Sequence, residues 1–225
     1  MNSKKDFFGT TVRYLLMLIG LVILGGSIAL STKARLGARA WTVFHIGVAK
    51  QIGWTQGQVT QVVGLLIVIG SYFLGGIKPA PATLCNMVLI GTFVDIFMTG
   101  NLIPEPTSLA QQYAYLLCSV ILTGVGTALY ISVRLGAGPR DSLMLALTQR
   151  SGLRISVVRN SIEVGVLVVG WFLGGPVGVG TLVFAFAIGP VLETCLNVLR
   201  KLSEYLHLER FLTVIEPKVK KAEAA

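Results

Sequence analysis

Apolar residues run along this chain in long blocks. They fill about 12–32, 57–76, 82–99, 113–133, 157–175 and 180–199. Blocks of roughly 17 to 21 residues match the length of an α-helix that crosses the hydrocarbon core of a bilayer. Two shorter helical segments, at about 40–51 and 139–150, stand between the first and second long block of each half of the chain. About twelve residues rise roughly 18 Å as an α-helix, too little to cross a core of about 30 Å upright. Glycine and proline punctuate the blocks. Gly76 and Lys78-Pro79-Ala80-Pro81 end one, and Gly174, Gly175, Pro176, Gly178 and Gly180 end another.

The second half repeats the first. Arg35-Leu36-Gly37-Ala38 returns as Arg134-Leu135-Gly136-Ala137, an offset of 99 that holds at Gly53 and Gly152 and at Phe73–Gly76 and Phe172–Gly175. At an offset of 98, Thr83-Leu84 matches Thr181-Leu182, Ile90-Gly91 matches Ile188-Gly189, and Asp95 matches Glu193. The predicted fold is an all-α polytopic membrane protein, a single membrane domain over 1–225. It has two internal repeats, each of three transmembrane helices plus a short re-entrant or interfacial helix. Repeat one covers about 12–99 and repeat two about 113–199, joined by a linker at 100–112. A basic cytosolic tail at 200–225 closes the chain, with a Leu-rich helix at about 198–214.

Whether the short helices cross decides between six spans with inverted halves and eight spans with parallel halves. The positive-inside rule favours six. That arrangement, with a cytosolic N-terminus, leaves Lys33, Arg35, Arg39 and Lys50 outside, and puts outside a linker that has neither Lys nor Arg. Both arrangements put the C-terminus in the cytosol. Lys4 and Lys5 ahead of an apolar run imitate a signal peptide. Cleavage is not expected, because the first span has a counterpart in the second half.

Composition agrees: 53% of residues are hydrophobic and 13% charged, with mean hydropathy +0.75. A soluble domain carries roughly 25% charged residues, and a disordered chain is more polar still. The net charge of +9 sits at the ends of the apolar blocks, as topology signals and phospholipid contacts do. No basic groove with interleaved aromatics is present, so nucleic acid is excluded as a partner. Cys85, Cys118 and Cys195 lie within apolar blocks, and His45 and His207 stand far apart. No metal-ligand spacing or disulfide framework results, and no cofactor is expected.

Candidate chemistry concentrates in Arg134-Leu135-Gly136-Ala137-Gly138-Pro139-Arg140-Asp141. Pro139 suits a first helical turn. Irregular backbone at membrane depth is tolerated where protein or water surrounds it, and helix N-termini there attract anions. Paired interrupted helices in two halves point to a transporter's site. The other reading is a surface turn whose arginines meet lipid phosphates. The motif, the following Leu143-Met144-Leu145-Ala146, and Gly175 through Phe184 resemble the YczE/YyaS/YitT family of bacterial integral membrane proteins, most closely its YczE-type members. The resemblance covers most of 12–199. It implies a bacterial plasma-membrane location and a poorly defined role, and it supplies no catalytic mechanism. The first half departs from the pattern at Ala40 and Thr42, where Pro and Asp are looked for; Trp41 fits.

The candidate substrate-binding residues are Arg134, Gly138, Pro139, Arg140, Asp141, Arg159 and Asn160. Asp95, Glu163 and Glu193 are the candidates for proton or cation coupling. Ionisable residues within spans are costly and suggest function. Arg159 and Glu163, four apart on one helix face, also fit a structural ion pair; the first half has Thr60, Gln61 and Gly64 there. Asp95 and Glu193 have no local cation and need water, another helix or a proton. His45 reads as a hydrogen-bonded structural residue. Asn86 and Asn197 read as inter-helix hydrogen-bonding residues. Gly170, Gly174 and Gly178 give close helix packing or a homodimer face. The expected function is secondary transport or export of a small polar or anionic solute, with proton coupling as an option. A non-transporting membrane scaffold or regulator is the alternative. An enzyme is not expected, since no catalytic constellation is present.

Overall fold

A computed structural model describes the backbone of residues 3–100, 102–133, 135–136 and 138–205, with backbone alone at 3–8, 141 and 156. Arg134, His207 and the tail from 206 onward lie outside the described residues. So does the part of the expected Leu-rich helix beyond 205.

The described residues form eight α-helices: α1 Ser3–Ala34, α2 Ala40–Ile52, α3 Gln56–Gly75, α4 Pro81–Thr99, α5 Leu109–Ser132, α6 Pro139–Ser151, α7 Ile155–Phe172 and α8 Val179–Tyr205. Local chemistry sets many of the ends. Thr55 and Gln58 cap α3 reciprocally, the Thr55 hydroxyl accepting from the Gln58 N–H, which satisfies donors that the first turn leaves free. Ser108 caps α5. Pro81 and Pro139 occupy first-turn positions, where a missing N–H costs nothing. Gly53 and Gly152 end the short helices in the left-handed region, which glycine enters without a Cβ penalty.

α1 packs along α5, and this pair is the centre of the molecule. A Cβ on Gly20 would stand 3.0 Å from the Gly126 carbonyl oxygen. The Ser27 hydroxyl donates to the Ser119 carbonyl at 2.9 Å. Met17, Leu21, Leu24, Tyr130 and Val133 form one apolar cluster there, and Ala34, Leu116, Val120 and Phe184 another. α4 lies on α1 and on α3, and α8 lies on α5. The short helices cross over: α2 packs on α7 and α6 packs on α3. Glycines permit the first contact, since a Cβ on Gly47 would meet the Gly170 carbonyl oxygen at 2.6 Å. The expected small-residue face of α7 is thus covered within the chain at Gly170.

Five helices are long and apolar enough to cross a membrane: Gly9–Ala34 of α1, then α3, α4, α5 and α8. α7 is not among the five. It is the shortest of the six long elements, at 18 residues, and it carries Arg159 and Glu163. The rim is apolar: Phe73, Phe172 and Phe186 are 77–79% exposed, as hydrocarbon contact requires. Trp54, Trp171 and Tyr72 are exposed near helix ends, where interfacial anchors sit.

Candidate functional site

The loops ahead of α2 and α6 are irregular and held in place. Arg35 ends α1 in the left-handed region at φ 57, a conformation that needs support in a non-glycine residue. Its guanidinium donates to Glu105 at 3.0 Å. Lys33 joins the same carboxylate at 3.3 Å. Gly37, at φ 97, lies against Gly178 so closely that a Cβ would collide with its backbone. The Gly180 N–H donates to the Leu36 carbonyl at 2.7 Å, so the loop before α2 is pinned to the start of α8. In the second half, Gly136 packs against Ala80 and Thr83 at the start of α4. Its carbonyl accepts from the Tyr130 hydroxyl at 3.2 Å.

Pinned this way, the starts of the two short helices meet. A cavity of about 260 Å³ is walled by Arg39, Trp41 and His45 around the first turns of α2, and by Gly138, Pro139, Arg140 and Met144 of α6. α3 adds Thr60, Gly64 and Ile67, and α4 adds Asn86, Met87 and Ile90. Arg159 and Glu163 come from α7, and Tyr130 from α5. Neither short helix has a side-chain cap on its first turn, unlike α3 and α5. The Arg140 guanidinium lies over the Trp41 ring, 4.8 Å from its centroid. That geometry favours cation–π attraction and ties the two N-termini together. Arg39 sits 6.0 Å from the Phe184 ring.

The volume is just below the usual range of small-molecule sites, roughly 300 to 1,000 Å³. Among the described residues the wall holds three guanidiniums, of Arg39, Arg140 and Arg159, and one carboxylate, of Glu163. Two helix N-termini add partial positive charge. Among the described residues no group of three or more His, Cys, Asp or Glu side chains comes together, so none is assigned to a metal.

Of the residues singled out from the sequence, Gly138, Pro139, Arg140, Arg159 and Glu163 line this cavity. Arg134 lies outside the described residues, and for Asp141 only the backbone is described. Asn160 is exposed and is not part of the wall. Glu193 is likewise exposed and outside it, although its neighbour Leu192 contributes. Asp95 is elsewhere. Its carboxylate accepts from the Gly57 N–H at 2.8 Å and from the Thr55 hydroxyl, so it caps the start of α3 from α4.

Sequence reasoning passed over three residues of the wall: Arg39, counted only as a topology charge; Trp41, noted only as a family match; and His45, taken as structural. His45 is 4% exposed. Its Nδ1 pairs with Thr60 Oγ1 at 2.9 Å, while Nε2 is buried without a partner among the described residues. A basic residue beside the start of each short helix, Arg39 and Arg140, was the available signal.

Comparison with known proteins places this architecture among membrane proteins. A family model described as a family of unknown function, DUF6198, matches residues 11–197. An uncharacterized protein of Haemophilus influenzae is 39% identical over 83% of this chain and 84% of its own length. The uncharacterized membrane protein YczE of Bacillus subtilis is 34% identical over 90% of this chain and 94% of its own. YyaS of the same organism is 26% identical over 84% and 95%. No solved structure matches.

Proposed function

We propose, on the premise that this chain belongs to the DUF6198 family and is a YczE-like membrane protein, that it is a secondary transporter of small anionic solutes. The observation that carries this reading is a single cavity whose wall holds the N-terminal residues of both short helices and three arginines from three elements. Paired interrupted helices whose positive ends converge on one site are a recurring transporter design. A carrier, and not an enzyme, is the reading.

The same proposal gives the chain six crossings. α7 is the sixth, with Arg159 and Glu163 facing the cavity, which relieves the cost of charge at membrane depth. α2 and α6, of 13 residues each, rise about 20 Å and enter without crossing. The contacts support inverted halves. Glu105 beyond α4 meets Lys33 and Arg35 at the end of α1, and Asp95 of α4 meets the start of α3. Those three ends share one side of the bundle. Ala146 of α6 meets Gly75 at the end of α3, and Gly136 meets Ala80, on the other side. α2 then enters from one face and α6 from the opposite face, as two repeats of three crossings require. With cytosolic termini in a bacterial plasma membrane, Lys33 and Arg35 lie outside. Their pairing with Glu105 softens that departure from the positive-inside rule.

Glu163 is the coupling candidate this reading retains, because it alone of the three acids is in the wall. Asp95 is a helix cap and is set aside, and Glu193 is not needed. The test is solute counterflow in proteoliposomes across a panel of small organic anions, with and without a pH gradient. Arg39→Gln and Arg140→Gln should each lower flux at least tenfold while the protein still extracts and elutes as a folded species. Flux of no anion above that of empty liposomes would refute transport and leave a scaffold role. A second readout is thiol labelling of Met144→Cys and Ile162→Cys after replacement of Cys85, Cys118 and Cys195. Both sites should react with a water-soluble reagent; silence at both would make the cavity dry.

A further inference from the structure

The helices around the cavity pack on one another in a ring with one break. α1 lies on α4 and α5, α4 on α3, α3 on α2 and α6, α2 on α7, and α5 on α8. α7 and α8 both contribute to the wall, α7 through Arg159, Ile162 and Glu163 and α8 through Leu192, yet these two helices are not packed together. Their connection closes one end of the space between them. A Cβ on Gly175 would meet the Val43 carbonyl oxygen at 2.2 Å, and the Gly180 N–H holds the Leu36 carbonyl. Away from that turn the space is open.

α3 and α4 show what a closed seam needs. The Gln61 amide donates to the Val88 carbonyl at 2.9 Å and to the Thr92 hydroxyl at 3.1 Å. On the repeat reading of the sequence, Asn160, Phe186 and Pro190 stand at those three places. Asn160 is exposed and makes no hydrogen bond among the described residues. A Cβ on Gly189 of α8 would have nothing within 4 Å. The opening is charged on its α7 side, because Arg159 is in the cavity wall and exposed at the same time. Arg159 and Glu163 make no ion pair with each other among the described residues. An exposed guanidinium one turn inside a crossing helix is costly in hydrocarbon and calls for an anion.

A polar cavity that opens sideways to lipid fits a ligand with two ends. We propose that the solute is an amphiphile, with a carboxylate or phosphate head that enters the cavity beside Arg159 and an alkyl chain that stays in the bilayer through the opening between α7 and α8. At about 260 Å³ the cavity is below the roughly 300 Å³ at which small-molecule sites begin, so it takes the head and leaves the chain outside. The inference rests on the reading of the chain as an anion transporter with α7 as a crossing. It deepens that reading from a free anion to one carried on an aliphatic chain.

The experiment uses the full chain in phosphatidylcholine nanodiscs and two series of probes, n-alkyl phosphates from methyl to dodecyl and carboxylates from acetate to laurate. Saturable binding is measured against the free aqueous concentration, with empty discs subtracted. A chain that remains in lipid gains about 0.8 kcal/mol per CH₂, so affinity should rise about fourfold for each added CH₂ in at least one series. Gly189→Trp fills the opening where there is room for it. It should melt within a few degrees of wild type and bring the octyl and dodecyl members within about twofold of each other. Arg159→Gln should weaken every member at least fivefold and leave the dependence on chain length unchanged. Phosphatidylglycerol added to the discs separates two sources of the same chemistry: competition with dodecyl phosphate marks a membrane phospholipid as the ligand, and no competition marks a single-chain amphiphile.

An affinity that does not rise with chain length, a rise that Gly189→Trp leaves intact, or unchanged binding in Arg159→Gln would overturn the sideways opening and leave transport of water-soluble anions standing. Failure of every probe to bind, methyl phosphate and acetate included, would bring down both readings.

Discussion

Asp95 offers the sharpest separation of a structural acid from a coupling acid. Its carboxylate accepts from the Gly57 N–H at 2.8 Å and from the Thr55 hydroxyl. The Thr55 hydroxyl in turn accepts from the Gln58 N–H at 3.1 Å. A hydrogen bond to a charged group contributes about 1.5–3 kcal/mol, and this carboxylate makes two. A negative charge at a helix N-terminus adds roughly 0.3–1 kcal/mol. The group is only half-buried, so the lower figures apply, and Asp95→Ala should cost on the order of 3 kcal/mol. Asp95→Asn keeps one acceptor oxygen and loses the charge, for a cost of about 1–2 kcal/mol, a fivefold to thirtyfold change in the folded ratio. By the size scaling of single domains, about 2–4 °C of melting temperature per kcal/mol, Asp95→Asn should melt a few degrees lower in nanodiscs. Thr55→Val and the double variant complete a cycle whose interaction energy should exceed about 0.5 kcal/mol, as for residues in one network. Flux in Asp95→Asn, normalised to folded protein, should keep the wild-type pH profile. Loss of pH dependence with unchanged melting would refute the capping argument and return Asp95 to coupling.

Gly47→Ala and Gly170→Ala should each destabilise by about 1–3 kcal/mol, the range for overpacking. A Cβ at Gly170 would stand 2.5 Å from the Phe44 nitrogen; Gly165→Ala, with nothing within 4 Å, is the control, and equal melting of all three would contradict the α2–α7 contact. Glu105→Gln should cost no more than about 1 kcal/mol, because Glu105 is 57% exposed and exposed pairs contribute little. Lys33 also retains its bond to the Ile103 carbonyl. The Glu105→Gln effect should shrink in high salt, and a salt-independent loss would show that the pair is not what holds the linker.

Helix ends were legible where the signal is local. Pro139, Gly53, Gly152 and the Thr55–Gln58 pair act within a turn of their own helix, and the expected ends fall within a few residues of the observed ones in most elements. The exceptions are the start of α1 and the continuation of α8 through Tyr205, past the expected 199 and into the stretch read as a separate tail helix, and α7 stops at Phe172 although apolar residues continue to Leu173. The cavity was half legible. Gly138, Pro139 and Arg140 announce an interrupted helix by composition, and Arg159 and Glu163 stand out as charges in an apolar block. Trp41 and His45 gave no such signal, and Arg39 only its place beside the start of a short helix, because their role depends on α2 lying against α7 and facing α6. The matched acids show the same limit. Asp95 reaches a backbone N–H because residue 57 is glycine, with no Cβ between the helices. Glu193, matched to Asp95 in the sequence, is exposed.

On the repeat reading of the sequence, one difference between the halves bears on the site's shape. Gly64 sits where α3 meets α4; a Cβ there would press on Met87 at 2.6 Å. Gly91 allows the same closeness to Gln61. At the offset of 99, Gly64 aligns with Glu163 and Thr60 with Arg159. A glutamate cannot lie in the seam that a glycine leaves. α7 and α8 accordingly lack the packing that joins α3 to α4, and Gly189, aligned with Gly91, has open space around it. The room gained is where Arg159 and Glu163 stand in the cavity wall. The two halves therefore do not build two equivalent sites. The first supplies a closed seam, an aromatic ring under Arg140 and the imidazole of His45. The second supplies the interrupted Gly–Pro helix start, two of the three arginines and the carboxylate of Glu163. The cavity follows from that division, since Gly64 lets α3 close on α4 while Arg159 and Glu163 stand in the wall.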